Sequence, residues 1–290
     1  ISKQIVEQLS TELSIVLIDY PFLIKSNVTI SDIQADVLYL NGEGMQYKQT
    51  LSLVHVSVTA VTKSDDGEIL SDNLHLYRHT FSQLPDKEKI KEQIREMAIR
   101  LEKMRKAPVQ DDIYKGMVMF EGDAVGDLIS KSFFSSGNGL LSKRKKINGE
   151  SSSIDIFSLL GGSSDENKYE DMINKQVIDP AISITAINTR ETFNGIPLIG
   201  SYKVDAEGVS AKDNLPLIKN GVLITLLNDR IPSQKIRESN AHKRFNLTKD
   251  VLSPSLGPGV IEVTASKTMS KDKMKKQLLS MAKKQSDTYA

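Results

Sequence analysis

YKQTLSLVHVSVTAVT, residues 47–62, is the stretch of sequence that decides the fold class. It is rich in Val, Thr and Leu, which favour extended backbone, so we predict one long β-strand. Turn sequences stand on either side of it, with Asn41-Gly-Glu-Gly44 before the strand and Ser64-Asp-Asp-Gly67 after it. We therefore predict two further strands, over 28–40 and 73–81, each joined to the central strand by a short turn.

Helical patterns flank these strands on both sides. Before them, Ile1, Ile5, Leu9 and Leu13 recur every four positions, as the apolar face of a helix does. After Pro85, apolar residues alternate steps of four and three among Lys, Glu and Arg, at Ile90, Ile94, Met97, Leu101 and Met104. The first predicted domain, residues 1–109, is thus an α+β unit.

The second predicted domain covers residues 110–290. A short strand over 116–120 leads into a helix over 123–134, and later strands are predicted at 182–187, 199–204, 215–219, 222–227 and 259–265. Ser270 can cap a last helix. Residues 135–164 are instead dominated by Ser, Gly, Asn and Lys, which predicts a mobile loop. The predicted fold class is α+β, with two domains of mixed or antiparallel sheets and flanking helices.

The composition excludes several classes of function. The 290 residues carry 38 basic and 37 acidic side chains, so the net charge of +1 gives no overall attraction to nucleic acid or to an anionic membrane. The absence of cysteine excludes disulfides, thiolate metal ligands and thiol nucleophiles. No apolar run is long enough to span a bilayer, and we expect a cytoplasmic protein. Because a further strand is the natural continuation after the last residue, we expect a piece of a longer chain.

Several motifs resemble those of one bacterial family, the TldD/PmbA peptidases. Residues 116–127, GMVMFEGDAVGD, are similar to the strand and helix that carry HExxxH, often HEAVGH, in catalytic members. Residues 200–208, GSYKVDAEG, are similar to the family's D-x-E-G signature, and residues 217–223, LIKNGVL, to the hairpin after it. The turn at 41–44 resembles an NSEG turn of the family's middle domain. The resemblance implies TldD/PmbA-like middle and C-terminal domains over most of the chain.

The resemblance also implies a metallopeptidase assembly in which a catalytic subunit pairs with an inactive homologue to trim small unfolded peptides. Catalytic members bind zinc through the two histidines of HExxxH and a cysteine. Here the motif positions are Gly122, Asp123 and Asp127, and cysteine is absent, so all three protein ligands of zinc are missing. We therefore expect no cofactor and no catalytic residue, and a homodimer or a heteromer with a catalytic homologue.

Asp123 and Asp127 leave one metal alternative open. Carboxylates four residues apart share a helix face and could hold Ca²⁺ or Mg²⁺, although such sites usually need about six or more oxygen ligands. Lys131 follows Asp127 by four residues, so an exposed ion pair on a solvated helix is the simpler interpretation.

The candidate peptide-binding cleft comprises Glu121, Asp205, Glu207, His242 and Arg244. Lys243 and Arg244 could bind a peptide carboxylate, or they could belong to an ordinary exposed basic loop. Asp205 and Glu207 suggest a carboxylate pair for acid–base chemistry, but a turn-forming role beside Gly208 is favoured.

The other histidines and the basic cluster have simpler interpretations than a metal or nucleic-acid site. His75 and His79 are four residues apart on a predicted strand, a separation of about 13 Å that excludes a shared zinc ion and favours cross-strand or surface residues. His55 lies in the most apolar strand and is interpreted as a core or interface histidine. The basic cluster at 143–146 has no interleaved aromatic residue and no recognition helix, so nucleic-acid binding has little support.

Three functions therefore compete. The leading one is a non-catalytic family member that binds small peptides or partners a catalytic subunit in their proteolysis. The second is a hydrolase with an atypical site built from Glu121, Asp123, Asp127 and His242. The third is a nucleic-acid-associated regulator acting through the basic loop.

Overall fold

The computed structural model describes residues 3–108, 113, 115–135, 139–142, 169–247 and 252–285. Contacts between Cα atoms divide the chain into two units, Ile1–Asp111 with Thr192–Ile199, and Asp112–Glu191 with Gly200–Ala290. Most of the loop predicted at 135–164 lies outside the described residues. Within the described part of the chain, every helix is too short or too polar to cross a bilayer.

The described helices and strands confirm the α+β fold class, because every strand pair is antiparallel and helices accompany the sheets. The helices are α1 (Lys3–Ile15), α2 (Lys87–Arg105), α3 (Asp123–Phe133) and α4 (Lys271–Gln285), with 3-10 turns at Val16–Asp19, Phe81–Gln83 and Glu170–Met172. The strands are β1 (Leu23–Leu40), β2 (Gln46–Lys63), β3 (Ile69–Arg78), β4 (Ile182–Ala186), β5 (Thr192–Phe193), β6 (Ile196–Pro197), β7 (Leu215–Lys219), β8 (Val222–Leu223), β9 (Lys243–Leu247), β10 (Leu252–Leu256) and β11 (Ile261–Ala265).

The first unit is built on a three-stranded sheet in the order β1-β2-β3. One face of β2 is fully buried, through Val54, Val56, Val58 and Ala60. It packs with Ile90, Ile94, Met97 and Leu101 of α2 and with Leu13, Val16 and Leu17 at the end of α1. The other face of β2, which carries Leu51, Leu53, His55 and Val61, is only half-buried.

The β1–β2 hairpin extends beyond β3, because β3 pairs only with residues 54–63 of β2. Its turn closes where the Gly44 amide donates to the Asn41 carbonyl, and Gly44 has a φ of +86°, which favours glycine. Leu38, Leu40 and Met45 are exposed near this end. The turn motif predicted from sequence thus lies at the tip of a two-stranded ribbon.

The second unit contains a four-stranded sheet in the order β11-β4-β7-β8 and a separate hairpin of β9 and β10. Ile184, Leu217, Ile218, Leu223 and Leu227 are fully buried in its core. Two predicted strands, at 116–120 and 199–204, are wrong, because neither forms a strand. Tyr202 instead packs edge-on against the His242 ring, and its hydroxyl donates to the Ala241 carbonyl.

Candidate functional site

Helix α3 carries the residues that resemble the family's metal motif, and these residues are exposed. Gly122 precedes the helix with a φ of +60°, and Gly122, Asp123 and Asp127 are all exposed. Lys131 Nζ lies 3.3 Å from Asp127 Oδ2, and Glu121 pairs with Lys271 of α4. The i,i+4 ion pair considered from the sequence is therefore present, and Glu121 is engaged away from the other candidate residues.

The donor set on α3 does not fit zinc. Zinc takes imidazole, thiolate and carboxylate ligands in tetrahedral geometry, whereas Gly122 has no side chain and Asp127 faces a lysine. Across the described ranges, no group of three or more His, Cys, Asp or Glu side chains is placed to hold a metal ion.

His242 is the centre of a buried polar network just before β9. Its side chain is fully buried, and its Nδ1 lies 2.7 Å from Asn240 Oδ1. Because that oxygen can only accept, Nδ1 carries the hydrogen, and Nε2 accepts from Asn188 Nδ2 at 3.2 Å. Burial lowers the pKa of His242 to about 4, so the ring is neutral near pH 7 with both nitrogens engaged.

Asn240 extends this network to the neighbouring backbone. Its Oδ1 also accepts from the Asn228 amide at 2.7 Å, and its Nδ2 donates to the Leu226 carbonyl at 2.8 Å. Asn228 in turn donates from Nδ2 to the Glu238 carbonyl at 2.9 Å. These bonds fix the loop before β9 against the buried segment of residues 226–228.

Asp205 holds the D-x-E-G segment in a turn. Its Oδ1 accepts from the amides of Glu207 and Val209, both at 2.9 Å, and its Oδ2 accepts from the Lys243 amide at 3.2 Å. Gly208, with a φ of +80°, donates to the Asp205 carbonyl and closes the turn. Burial raises the pKa of Asp205, although these backbone donors oppose the shift.

Glu207 faces the backbone of a different loop. Its Oε2 accepts from the Arg230 amide at 2.7 Å, and burial raises the pKa of its carboxyl. The two carboxylates that suggested acid–base chemistry therefore both accept hydrogen bonds from main-chain amides.

The basic pair after His242 is also engaged within the unit. Lys243 Nζ lies 2.9 Å from Asp229 Oδ2, and the Arg244 guanidinium stacks 3.3 Å above the centre of the Tyr202 ring. The Tyr202 hydroxyl donates to the Ala241 carbonyl at 2.6 Å, and burial raises the pKa of that phenol. The structure thus brings Asp205, Glu207, His242 and Arg244 into one region and leaves Glu121 outside it.

A concave surface lies beside this network, at Asn240. The cavity has a volume of about 590 Å³ and is lined by Ile173, Lys212, Leu215, Ile224, Thr225, Lys235, Ile236, Arg237, Glu238, Ser239 and Asn240. None of these residues was singled out from the sequence, because the segments that carry them are far apart along the chain. Only the alternation of basic and apolar residues over 235–237 gives a local signal.

The remaining histidines lie in the first unit. His55 Nε2 is 3.1 Å from His75 Nδ1, and the His55 ring stacks on Tyr77 with 4.3 Å between centroids. Burial and the neighbouring His75 lower the pKa of His55. His75 is therefore a cross-strand neighbour of His55, while His79 lies just beyond the end of β3.

A family model identifies the family of this chain, and two solved structures have a similar fold. Residues 115–281 match the family model of the PmbA/TldA metallopeptidase C-terminal domain. A proposed modulator of a DNA gyrase from Thermotoga maritima is 15% identical over 96% of this chain and 55% of its own, with a TM-score of 0.62. TldE from Thermococcus kodakarensis is 11% identical over 94% of this chain and 55% of its own, with a TM-score of 0.52. No curated protein matches the sequence, and the chain spans about half the length of these solved structures.

Proposed function

Because the chain belongs to the PmbA/TldA metallopeptidase family, as its motifs predict, we propose that it is a non-catalytic member that binds small peptides. The observation that carries the proposal is the donor set of α3. Gly122, Asp123 and Asp127 stand at the positions that resemble the zinc-binding and water-activating residues of catalytic members, and Asp127 is paired with Lys131. A metallopeptidase needs a bound zinc ion with an open coordination position, and α3 lacks the imidazole ligands that would hold one.

The arrangement of the other candidate residues weighs against a hydrolase. Such an enzyme would need an acid or base within hydrogen-bond reach of a bound substrate. His242 is fully buried with both ring nitrogens engaged, while Glu121 is paired with Lys271. These groups serve the fold, and no proton-transfer pair with Asp123 or Asp127 follows from their positions.

The nucleic-acid alternative gains no support from the described residues. The basic cluster at 143–146 lies outside them, and the net charge of the whole chain is +1. A protein that binds nucleic acid through its phosphates needs a basic face. Peptide binding, alone or beside a catalytic homologue, therefore remains the proposal.

Binding and cleavage of one peptide test this proposal together. An unstructured peptide of about ten residues, labelled at its N-terminus, is titrated with the protein by fluorescence anisotropy, and the mixture is analysed by mass spectrometry after prolonged incubation with added zinc. We expect saturable binding and an intact peptide. The variant Asp123→Ala with Asp127→Ala should bind equally well, since both residues are exposed on α3. Zinc-dependent cleavage that this variant abolishes would show that the chain is an enzyme.

A further inference from the structure

The cavity beside Asn240 has the size of a small-ligand site and opens to solvent. Its volume of about 590 Å³ falls within the range of roughly 300–1,000 Å³ that is typical of such sites. Its walls come from the start of β7, the residues after β8 and the loop over 235–240. All of them belong to the second unit.

The apolar part of the wall comprises Ile173, Leu215, Ile224 and Ile236. Ile224 is 42% exposed, although the residues on either side of it along β8 and its continuation are buried or half-buried. An aliphatic ligand group placed on this surface removes apolar area from water, which favours binding.

The charged part of the wall is predominantly cationic. Lys212, Lys235 and Arg237 line the cavity against one acid, Glu238. Lys235 Nζ already donates to Asp171 Oδ1 at 2.7 Å and to the Glu170 carbonyl at 3.1 Å. Lys212 and Arg237 form no ion pair with any residue that the structure describes, so two cations remain for a ligand.

The loop that carries Arg237 is held in place before any ligand binds. Ser233 and Ile236 exchange hydrogen bonds, with the Ser233 amide donating to the Ile236 carbonyl at 2.9 Å and the Ile236 amide to Ser233 Oγ at 3.0 Å. The buried Glu170 side chain accepts from the Ser233 hydroxyl and from the Lys235 amide. A preorganised loop lowers the entropic cost of binding.

We propose that this cavity captures the C-terminal end of a peptide. Arg237 and Lys212 hold the terminal carboxylate, and the isoleucine wall takes an apolar last side chain. A guanidinium suits this task because it donates two parallel hydrogen bonds to a carboxylate. The inference rests on the proposed peptide binding, and it replaces Lys243 and Arg244 as the carboxylate site, since Asp229 and Tyr202 occupy them.

Two forms of one peptide test the inference. A labelled ten-residue peptide ending in leucine is compared as the free acid and as the C-terminal amide, by anisotropy with the full 290-residue chain. We expect the free acid to bind at least about tenfold more tightly than the amide, because its carboxylate accepts charge-assisted hydrogen bonds. Arg237→Gln should reduce free-acid binding to the level of the amide and leave amide binding unchanged.

Matched variants distinguish binding in the cavity from a general effect of protein charge on the affinity for peptide. Lys219→Gln removes an exposed lysine of β7 outside the cavity and should leave both affinities unchanged. Ile224→Glu puts a negative charge into the cavity and should abolish the preference for the free acid. Hydrogen exchange at Leu215–Lys219 verifies that each variant is folded.

Each other outcome overturns the inference in a different way. Equal affinities for acid and amide, both insensitive to Arg237→Gln, would sink the carboxylate site and leave the proposed peptide binding intact. If neither form of the peptide binds, the carboxylate site and the proposed peptide binding are both rejected. Binding of decanoate, lost in Arg237→Gln, without any peptide binding would assign the cavity to fatty acids.

Discussion

His242 is fully buried, and its ring lies between the side-chain amides of Asn188 and Asn240. The Nε2 lone pair accepts from Asn188 Nδ2, and the Nδ1 hydrogen donates to Asn240 Oδ1. Protonation of Nε2 would therefore place an N–H donor against the N–H donor of Asn188. Desolvation and this mismatch both favour the neutral ring. The residue therefore links the stability of the second unit to pH.

We predict that the second unit loses stability as the pH falls from about 6.5 to 4. In that window the unfolded chain binds a proton on His242 that the folded chain does not, because burial lowers the pKa from 6.5 to about 4. The loss amounts to about 3 kcal/mol. Asp205 has the opposite effect, because burial raises its pKa from 3.8. The stability that Asp205 contributes falls as the pH rises above the pKa that it has in the unfolded chain.

The His242 contribution is isolated by comparison with His242→Asn, which cannot titrate. Hydrogen exchange at Leu215–Lys219 across the pH range should show a smaller acid-induced loss in this variant than in the wild type. His79→Gln, in the other unit, is the matched control. Parallel pH profiles for wild type and His242→Asn would contradict the prediction.

Gly259 gives a second prediction at this scale. A Cβ atom there would lie 2.5 Å from Tyr202 Cε1, 2.7 Å from Asn188 Oδ1 and 3.0 Å from the Gly200 carbonyl oxygen. Gly259→Ala should therefore lower the free energy of unfolding by about 1–3 kcal/mol, as overpacking does. Gly257→Ala meets nothing within 4 Å and is the control, so similar melting temperatures for the two variants would refute the steric argument.

Some residues of the polar network could be identified from the sequence, and others could not. Asp205, Glu207 and His242 were identified because they are titratable and lie near recognisable motifs. Their partners Asn188, Asn240 and Tyr202 were not, since an amide or phenol has no characteristic spacing and is brought to His242 only by the fold. The burial of His242, which decides its protonation state, depends on that same tertiary packing.

Among the elements, the long strands and the amphipathic helices were predictable because their signals are local. β2 combines β-branched composition with turn sequences at both ends, and α2 begins where Asp86 accepts from the Glu88 amide at 2.9 Å. β9 and β10 were missed, since Lys243, Arg244 and Pro254 disfavour a strand when read alone. The pairing of these two strands in one hairpin overrides that preference.

Helix α3 carries the third prediction. Purified protein exposed to excess zinc and then desalted should retain far less than about one zinc ion per chain, because tetrahedral sites need a set of about four ligands that α3 lacks. Elemental analysis measures this directly, and Asp127→Ala should give the same value. A stoichiometric zinc content that falls in Asp127→Ala would reveal a site on this helix.

At the scale of the whole molecule, the first unit has apolar side chains that the described part of the chain leaves exposed or half-exposed. The half-buried face of β2 carries Leu51, Leu53 and Val61, and Leu38 and Leu40 are exposed on the opposite face of the sheet near the end of the ribbon. Large exposed apolar patches usually mark an interface. A second copy or a catalytic homologue would cover it.

We predict a dimer that buries at least about 1,200 Å² in total, as stable interfaces do. Light scattering at high micromolar concentration should give twice the chain mass of 32.2 kDa. Leu53→Lys should shift the protein to monomer, whereas Leu279→Lys, on the exposed face of α4, should not. A monomeric wild type would exclude the homodimer and leave co-purification with a homologue as the test of the heteromer.

The strand order of the second unit has a consequence for synthesis on the ribosome. β11 pairs with β4, although all the strands from β5 to β10 lie between them along the chain. The three long strands of the first unit are consecutive, so each can pair with the previous one as it leaves the ribosome. In contrast, one edge of β4 stays unpaired until residue 265 has left the exit tunnel. During that interval the nascent chain presents an unpaired strand edge, which makes β4 a segment that a holdase chaperone would protect from aggregation.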